Sequence, residues 1–448
     1  MALIYNATFD KNTRKLSFED RAGNEIYSFT VPERAPVDNI TKPLTFRATQ
    51  NGSTVSLKKN GTPSGEFQTS RDGGNTWTDY TIDTSIALNT GDEVLFRAKA
   101  NRTSEQSVYN YFSFQMTGKI EAWHNVMSLY RTNDFATYNT MVKFAFYKLF
   151  FHCDSLTKAP VLPSTTLAQN CYAYMFSRCQ SLTKAPELPA TTLVHACYSG
   201  MFYECQSLTE APVLHATTLA DYCYHDMFYG ASSLIKAPEL PATTLAKNCY
   251  YGMFSGCQSL TKAPELPATT LADSCYGNMF EGCQSLTKAP ELPATTLASD
   301  CYYYMFRNCQ SLTKAPVLPS TTLAQNCYVY MFRGCQSLTK APELPATTLA
   351  DYCYNGMFAG CQSLTKAPEL PATTLAKRCY QSMFSGCQSL KEVRVSATTT
   401  ATDALNYWLQ NVSATGDFYC KPNAKIFPTG PSGIPSGWAR HNIADYPN

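Results

Sequence analysis

Four sets of residues in this 448-residue chain have types and spacings that could do chemistry: nineteen cysteines, six histidines, a Ser-x-Asp-x-Gly-x-Thr-Trp turn and a periodic lysine. The cysteines could be redox-active, paired in disulfides or bound to zinc. Nine of them fall at Cys171 plus multiples of 26, ending at Cys379, and nine more at Cys153 plus multiples of 26, ending at Cys387. Ala231 stands where a tenth member of the second series would be, and no C-x-x-C pair occurs. Zinc knuckles need such pairs. A structural disulfide would leave a widowed thiol opposite Ala231, whereas a Cys packed as a small hydrophobe tolerates alanine. The spacing therefore predicts two ladders of buried, reduced thiols and no metal or other cofactor.

The six histidines (His124, His152, His195, His215, His225 and His441) share no position of the repeat. Catalysis needs a few convergent groups, and no Ser/His/Asp, His-x-x-x-His or phosphate-loop constellation is present, so the chain is not expected to be an enzyme. Ser70, Asp72, Gly74, Thr76 and Trp77 form the turn pattern, with Asp and Gly making a tight loop above the Trp. It reads as a structural turn. Lys184, Lys236, Lys262, Lys288, Lys314, Lys340 and Lys366 recur at multiples of 26, with Lys158 ahead of them. Stacked at strand spacing they would form a positive stripe, a secondary candidate for binding an anionic glycan. Glutamates three residues on, such as Glu265, would instead compensate it.

The elements that must position these residues follow from the repeat. One 26-residue unit recurs nine times between Cys153 and Cys387. A period of this length marks an array in which each unit buries its apolar face against its neighbours. In residues 271–280 the apolar positions are 0, 1, 4, 5, 8 and 9, which fall on one half of a helical wheel. With Thr270 as N-cap and Gly282 as C-cap, the pattern predicts a helix of about three turns per unit. Residues 257–263 predict a short strand that ends before Pro264, because proline cannot donate to a ladder. Helices spaced wider than strands would bend the array, leaving the helices outermost.

On the outer helical positions the residues change almost every repeat. They include Tyr174, Tyr203, Tyr222, Tyr229, Tyr251, Tyr303, Tyr304, Tyr330 and Tyr352, together with Arg307 and Arg333, and only three are Lys or Glu (Lys247, Glu281 and Lys377). Drift on an exposed helix favours Lys, Glu and Gln. Tyr with Ser, Asn and Gly is instead the composition of binding surfaces. These eleven residues are the primary candidate site.

The Phe-x-Gly-Cys-x-Ser-Leu approach to each predicted strand, alternating with a predicted short helix, resembles the BspA-like class of bacterial leucine-rich repeats over roughly residues 140–410. It departs from that class at Ala-Pro-Glu-Leu. The fold class implied is α+β, a leucine-rich-repeat solenoid of 26-residue strand-plus-helix units preceded by small all-β domains of sandwich type. The domains expected are 1–40, an N-terminal β unit and candidate virion anchor; 41–118, a sandwich carrying the turn motif; 119–410, the repeats with worn caps; and 411–448, a C-terminal cap.

Residues 1–118 alternate apolar and polar, as in Leu3, Tyr5, Ala7 and Phe9, with turn signals at 22–24 and a linker from 32 to 43. Followed by the repeats, they resemble tail or fibre proteins of phages infecting gut Bacteroides-type bacteria. That resemblance implies a virion location, partners among other virion proteins through the N-terminal region, and a host-surface glycan or protein bound by the repeats. The alternative is a bacterial surface or secreted adhesin, and a glycan-degrading enzyme is more remote. A homo-oligomer is compatible with both main readings. Net charge is only +2, which argues against nucleic acid as partner. No apolar run approaches the ~20 residues of a membrane span, and residues 1–6 carry no pattern of a cleaved export signal.

Overall fold

A computed structural model describes residues 6–10, 15–19, 22, 25–30 and 38–445. Strands β1 (Asn6–Asp10), β2 (Lys15–Glu19) and β3 (Glu25–Thr30) form an antiparallel meander. Parts of the turn at 22–24 and of the linker expected from 32 to 43 lie outside the described residues.

Eight strands follow: β4 (Leu44–Ala48), β5 (Ser53–Asn60), β6 (Phe67–Ser70), β7 (Thr78–Tyr80), β8 (Ile86–Leu88), β9 (Glu93–Ala98), β10 (Tyr111–Thr117) and β11 (Ile120–Trp123). They divide into a sheet of order β10-β5-β8 and a larger sheet containing β11-β4-β9-β6-β7. Alternate residues of β4, β9 and β10 point inward, so Phe46, Phe96 and Phe114 meet edge to face at 4.6–5.6 Å between the two sheets.

The larger sheet does not stop at β11. Strand β12 (Leu156–Lys158), from the first unit of the array, pairs parallel with it, Ile120 opposite Leu156. Phe114 also stacks on Phe150 at 5.5 Å, and Phe150 on Phe176 at 5.3 Å. The aromatic core of the sandwich thus runs without a break into that of the repeats.

Inside the array the strand-plus-helix unit is corrected, and with it the α+β solenoid. Among the described residues the longest helical segments have four residues, Asp38–Thr41 and Val126–Leu129. What was expected as a helix is a run of turns with a left-handed residue at every fourth position: Ser274 (φ 53°), Asn278 (φ 54°) and Gly282 (φ 71°). The same triplet recurs, for example at Asn326, Tyr330 and Gly334.

The hydrogen bonds alternate accordingly. Cys275, Gly277, Met279, Glu281 and Cys283 donate three residues back at 3.0–3.3 Å. Ser274, Tyr276, Asn278, Phe280 and Gly282 donate instead to the next unit, to the carbonyls of Ser299, Cys301, Tyr303, Met305 and Arg307 at 2.7–3.1 Å. A helix would use every amide internally. Here about half of them tie neighbouring units together, and the apolar period is 4 rather than 3.6.

Packing distances explain why turns replace helices. Tyr172, Tyr198, Tyr224, Tyr250 and Tyr276 stack nearly parallel at 5.8–5.9 Å. Phe202, Phe228, Phe254 and Phe280 stack at 5.6–5.8 Å. Helices pack at roughly 8–10 Å, so units this close cannot each hold one. The shorter separation lets backbones bond across units.

The predicted strand shrinks as well. Between β12 and β13 (Glu392–Arg394) the lysine-bearing segments meet through single parallel bridges, such as Lys236 with Lys262 and Lys314 with Lys340. Pro264 and Pro267 lack an amide hydrogen on either side of Glu265, which limits each segment to one or two bonds. The sheets therefore lie at the ends of the array and none runs through it as the leucine-rich-repeat solenoid would require. In the last unit, where Lys391-Glu392-Val393-Arg394 replaces Thr-Lys-Ala-Pro and so removes the first proline, β13 forms and pairs with β14 (Gly416–Cys420), which pairs with β15 (Trp438–Asn442). Trp408 closes the tyrosine column, 6.2 Å from Tyr380, and donates its indole N–H to the Gly433 carbonyl at 2.9 Å.

Candidate functional site

All nineteen cysteines are free and buried. In the column that starts at Cys153 each thiol reaches a phenylalanine carbonyl, that of Phe114 in β10 for Cys153 and one of the preceding unit for the rest, as Cys283 Sγ to Phe254 at 3.2 Å and Cys309 Sγ to Phe280 at 3.1 Å. Ala231 sits in the same column, fully buried, and makes the same backbone bond to Phe228 that Cys257 makes to Phe254. Burial raises the Cys301 thiol to about 12, and at Cys275 burial and then the thiols of Cys249 and Cys301 push it well up. Such thiols are protonated near neutrality and poor nucleophiles.

The turn at residues 70–77 is a closed hydrogen-bonded loop. Ser70 Oγ donates to Asp72 Oδ1 at 2.6 Å, and Thr76 donates its amide to Oδ1 at 3.0 Å and its hydroxyl to Oδ2 at 2.6 Å. These bonds, Ser70's first and then those of Thr76, hold the Asp72 carboxyl below the usual range. Trp77 Nε1 donates to the Gly74 carbonyl at 3.0 Å, and the Arg97 guanidinium lies 4.1 Å over the indole. A cleft of about 700 Å³ opens beside the loop, lined in part by Asp72 and Asp79. Asp79 accepts from Gln68 at 3.0 Å and from Lys99 at 2.6 Å, so both carboxylates are committed to internal partners.

The nine candidate tyrosines are all half-buried, on a ridge of stacked turns rather than on helices. Tyr174, Tyr222, Tyr304, Tyr330 and Tyr352 occupy left-handed positions, while Tyr203, Tyr229, Tyr251 and Tyr303 do not. The abundance of Asn, Asp and Gly along this ridge has a backbone cause, since they are the residues that most readily adopt positive φ.

Several rings are seated over the next unit. A Cβ on Gly200 would lie 2.3 Å from the Tyr174 ring, and one on Gly277 2.8 Å from that of Tyr251. Gly356 lies in the same way beneath Tyr330. Other rings stack on each other: Tyr203 on Tyr229 at 4.7 Å, His225 on Tyr251 at 5.0 Å and Tyr304 on Tyr330 at 5.0 Å. Ring faces are thus used between units, and the Tyr251 hydroxyl accepts from Asn278 Nδ2 at 3.0 Å.

The densest part of the ridge is at Tyr303, Tyr304 and Tyr330. Tyr303 and Tyr304 meet at 4.1 Å, Arg307 lies 4.8 Å over Tyr304, and Arg333 lies 5.0 Å over Tyr330. Arg307 is also held by Glu281 of the preceding unit at 3.1 Å. Arg333 is exposed, and among the described residues no carboxylate pairs with it. Sequence reasoning missed a second aromatic cluster. Lys148 lies within 4.9–6.0 Å of Tyr111, Tyr147, Phe151 and Tyr174, where the sandwich meets the array. Lys148 belongs to a worn copy of the repeat, so no periodic signal singles it out.

Lys184, Lys236, Lys262, Lys288, Lys314, Lys340 and Lys366 are exposed in one row. At its ends glutamates enter the row itself: Lys184 pairs with Glu210 at 3.3 Å and Lys366 with Glu392 at 2.8 Å. Lys158 lies over the Trp123 ring at 2.7 Å. Among the described residues no helix is long and apolar enough to cross a membrane.

A family model for the BspA type leucine rich repeat region matches the chain in six copies, over 132–261, 223–365 and 300–414. No curated protein and no solved structure matches the chain.

Proposed function

From the premise that this chain belongs to the BspA-type leucine-rich repeat family, we propose that it is a recognition protein acting at a cell surface. The observation that carries this reading is the contrast between the two sides of each unit. The Cys, Tyr, Met and Phe columns are fully buried and nearly identical from unit to unit, while the ridge residues above them vary. A rigid framework presenting variable side chains suits recognition, because preorganised groups lose little entropy on binding. The finer role proposed is that of a phage tail-fibre or receptor-binding component. Its repeats would contact a host-surface glycan or protein, and its N-terminal region would join other virion proteins. The patch of Tyr303, Tyr304, Arg307, Tyr330 and Arg333 would be the centre of contact, where Tyr and Arg serve as binding hot spots.

The family match favours a second reading, a bacterial surface adhesin, since it covers the repeats and is silent on residues 1–118. Antiserum against the chain separates the two: labelling of purified virions supports the first, labelling of intact uninfected bacteria the second. The ridge is tested by changing Tyr303→Ser, Tyr304→Asn and Tyr330→Asn together, asparagine being chosen for the two left-handed positions. Binding of labelled protein to host cells is expected to fall by about two orders of magnitude, a loss of ~2–3 kcal/mol, with the thermal transition retained. Undiminished cell binding would move the site off this ridge.

A further inference from the structure

A second surface, independent of the tyrosine ridge, has the features of a built groove. Lys236 and Lys262 form one wall, Glu239 and Glu265 the other, and Ala237, Pro238, Ala263 and Pro264 the floor, enclosing about 360 Å³. Single parallel bridges between the lysine-bearing segments fix the pitch at the ~4.8 Å of adjacent strands. The same lysine and glutamate positions recur as Lys288 with Glu291 and Lys340 with Glu343, all four exposed, while Val317 stands in the glutamate position of the unit between them.

Lysine and glutamate three residues apart do not pair directly here. Among the described residues no ion pair ties Lys236, Lys262, Lys288, Lys314 or Lys340 to a carboxylate. The row is therefore a line of ammonium groups whose donors are not taken up by a carboxylate in direct contact. Glu239, Glu265 and Glu291 are a line of acceptors at the same pitch, ending where Val317 takes the glutamate position, and the Ala-Pro floor is rigid and apolar.

We propose that this groove binds a linear, extended polysaccharide bearing a carboxylate on its sugar residues. The strand pitch is close to the length of one sugar in such a chain, so ammonium groups meet carboxylates in register. Sugar hydroxyls donate to the glutamates, and the C–H face of each ring lies on the prolines. Single-stranded nucleic acid fits less well. The groove has no aromatic side chain on which bases could stack, and its acidic wall repels a phosphodiester backbone that has few hydroxyls to offer.

The test uses the full chain and polygalacturonate, with dextran, poly-glutamate and oligo-dT as comparators, read by titration calorimetry. Polygalacturonate is expected to bind more tightly than all three comparators and to weaken with salt. The triple variant Lys236→Gln, Lys262→Gln, Lys288→Gln is expected to lose about tenfold or more in affinity. The double variant Glu239→Ala, Glu265→Ala is expected to bind several-fold more weakly, although the groove becomes more positive. Tighter binding by that double variant would show that charge alone acts, and would overturn the proposal. So would undiminished binding by the lysine variant, poly-glutamate or oligo-dT bound as tightly as polygalacturonate, or no polygalacturonate binding at all. The tyrosine ridge is intact in both variants, so this groove and the ridge can fail separately.

Discussion

Carrying the pH from ~9 to ~10.5 is expected to unfold the repeat array, because its buried thiols cannot ionise in place. An ordinary thiol titrates near 8.5, whereas burial raises Cys301 to about 12 and pushes Cys327 and Cys353 well up. A raised value in the folded chain means that the unfolded chain gives up its protons first. Stability is therefore fully present below the ordinary thiol range and is lost as pH rises above it.

One pH unit above that range, each thiol held protonated costs the fold ~1.4 kcal/mol relative to the unfolded chain. Summed over the two columns this reaches roughly 20 kcal/mol or more, against the roughly 5–15 kcal/mol that holds an ordinary domain together. The buried tyrosines act in the same direction, Tyr276 and Tyr302 being pushed well up by burial first. Circular dichroism with tyrosinate absorbance should show one steep alkaline transition. A thiol-specific maleimide should leave the array cysteines unmodified at pH 7 and label them beyond the transition. A fold that persists unchanged to pH ~11.5 would contradict the burial of the thiols. Changing Cys257, Cys283 and Cys309 to alanine, as Ala231 already stands in their column, should make stability depend less steeply on pH, since three fewer protons are released.

The second large effect separates turns from helices at a single residue. Ser274 has φ 53° and donates its amide to the Ser299 carbonyl of the next unit at 2.9 Å. Proline there would lose that bond and lock φ near −65°, so Ser274→Pro is expected to cost ~3 kcal/mol or more. Ser274→Val should cost ~1–2 kcal/mol, because a branched side chain resists the left-handed region. Ser274→Gly should hold stability or raise it by up to ~1 kcal/mol, since the positive φ no longer meets a Cβ. In a helix the glycine variant would lose stability by a few tenths to ~1 kcal/mol. Urea unfolding of the three variants reads the order directly, and a destabilised glycine variant would restore the helix.

The Ser274 contrast also marks how far the sequence could be read. The existence of the repeat, its 26-residue length and the division of each unit into invariant and variable positions are written in the residues themselves. So is the burial of the Cys153 series, because the alanine at 231 shows that the position asks for a small apolar group. The shortness of the strand was legible from Pro264, though its reduction to one bridge depended on Pro267 as well.

What the residues did not decide was the conformation of 271–280. Apolar pairs at 0, 1, 4, 5, 8 and 9 satisfy a helical wheel and a period of four equally well over ten residues. Asn, Asp and Gly at every fourth position could have tipped the reading toward left-handed turns, but the same residues also resemble a binding surface. Only tertiary structure resolves the choice, through the separation of neighbouring units. At 5.6–5.9 Å between stacked rings, an amide can find its acceptor in the next repeat. A helix keeps its amides to itself and would hold the units farther apart. The sequence by itself determined what is buried and what varies. The stacking distance decided which backbone carries it, and with that how the tyrosine rings pack between units.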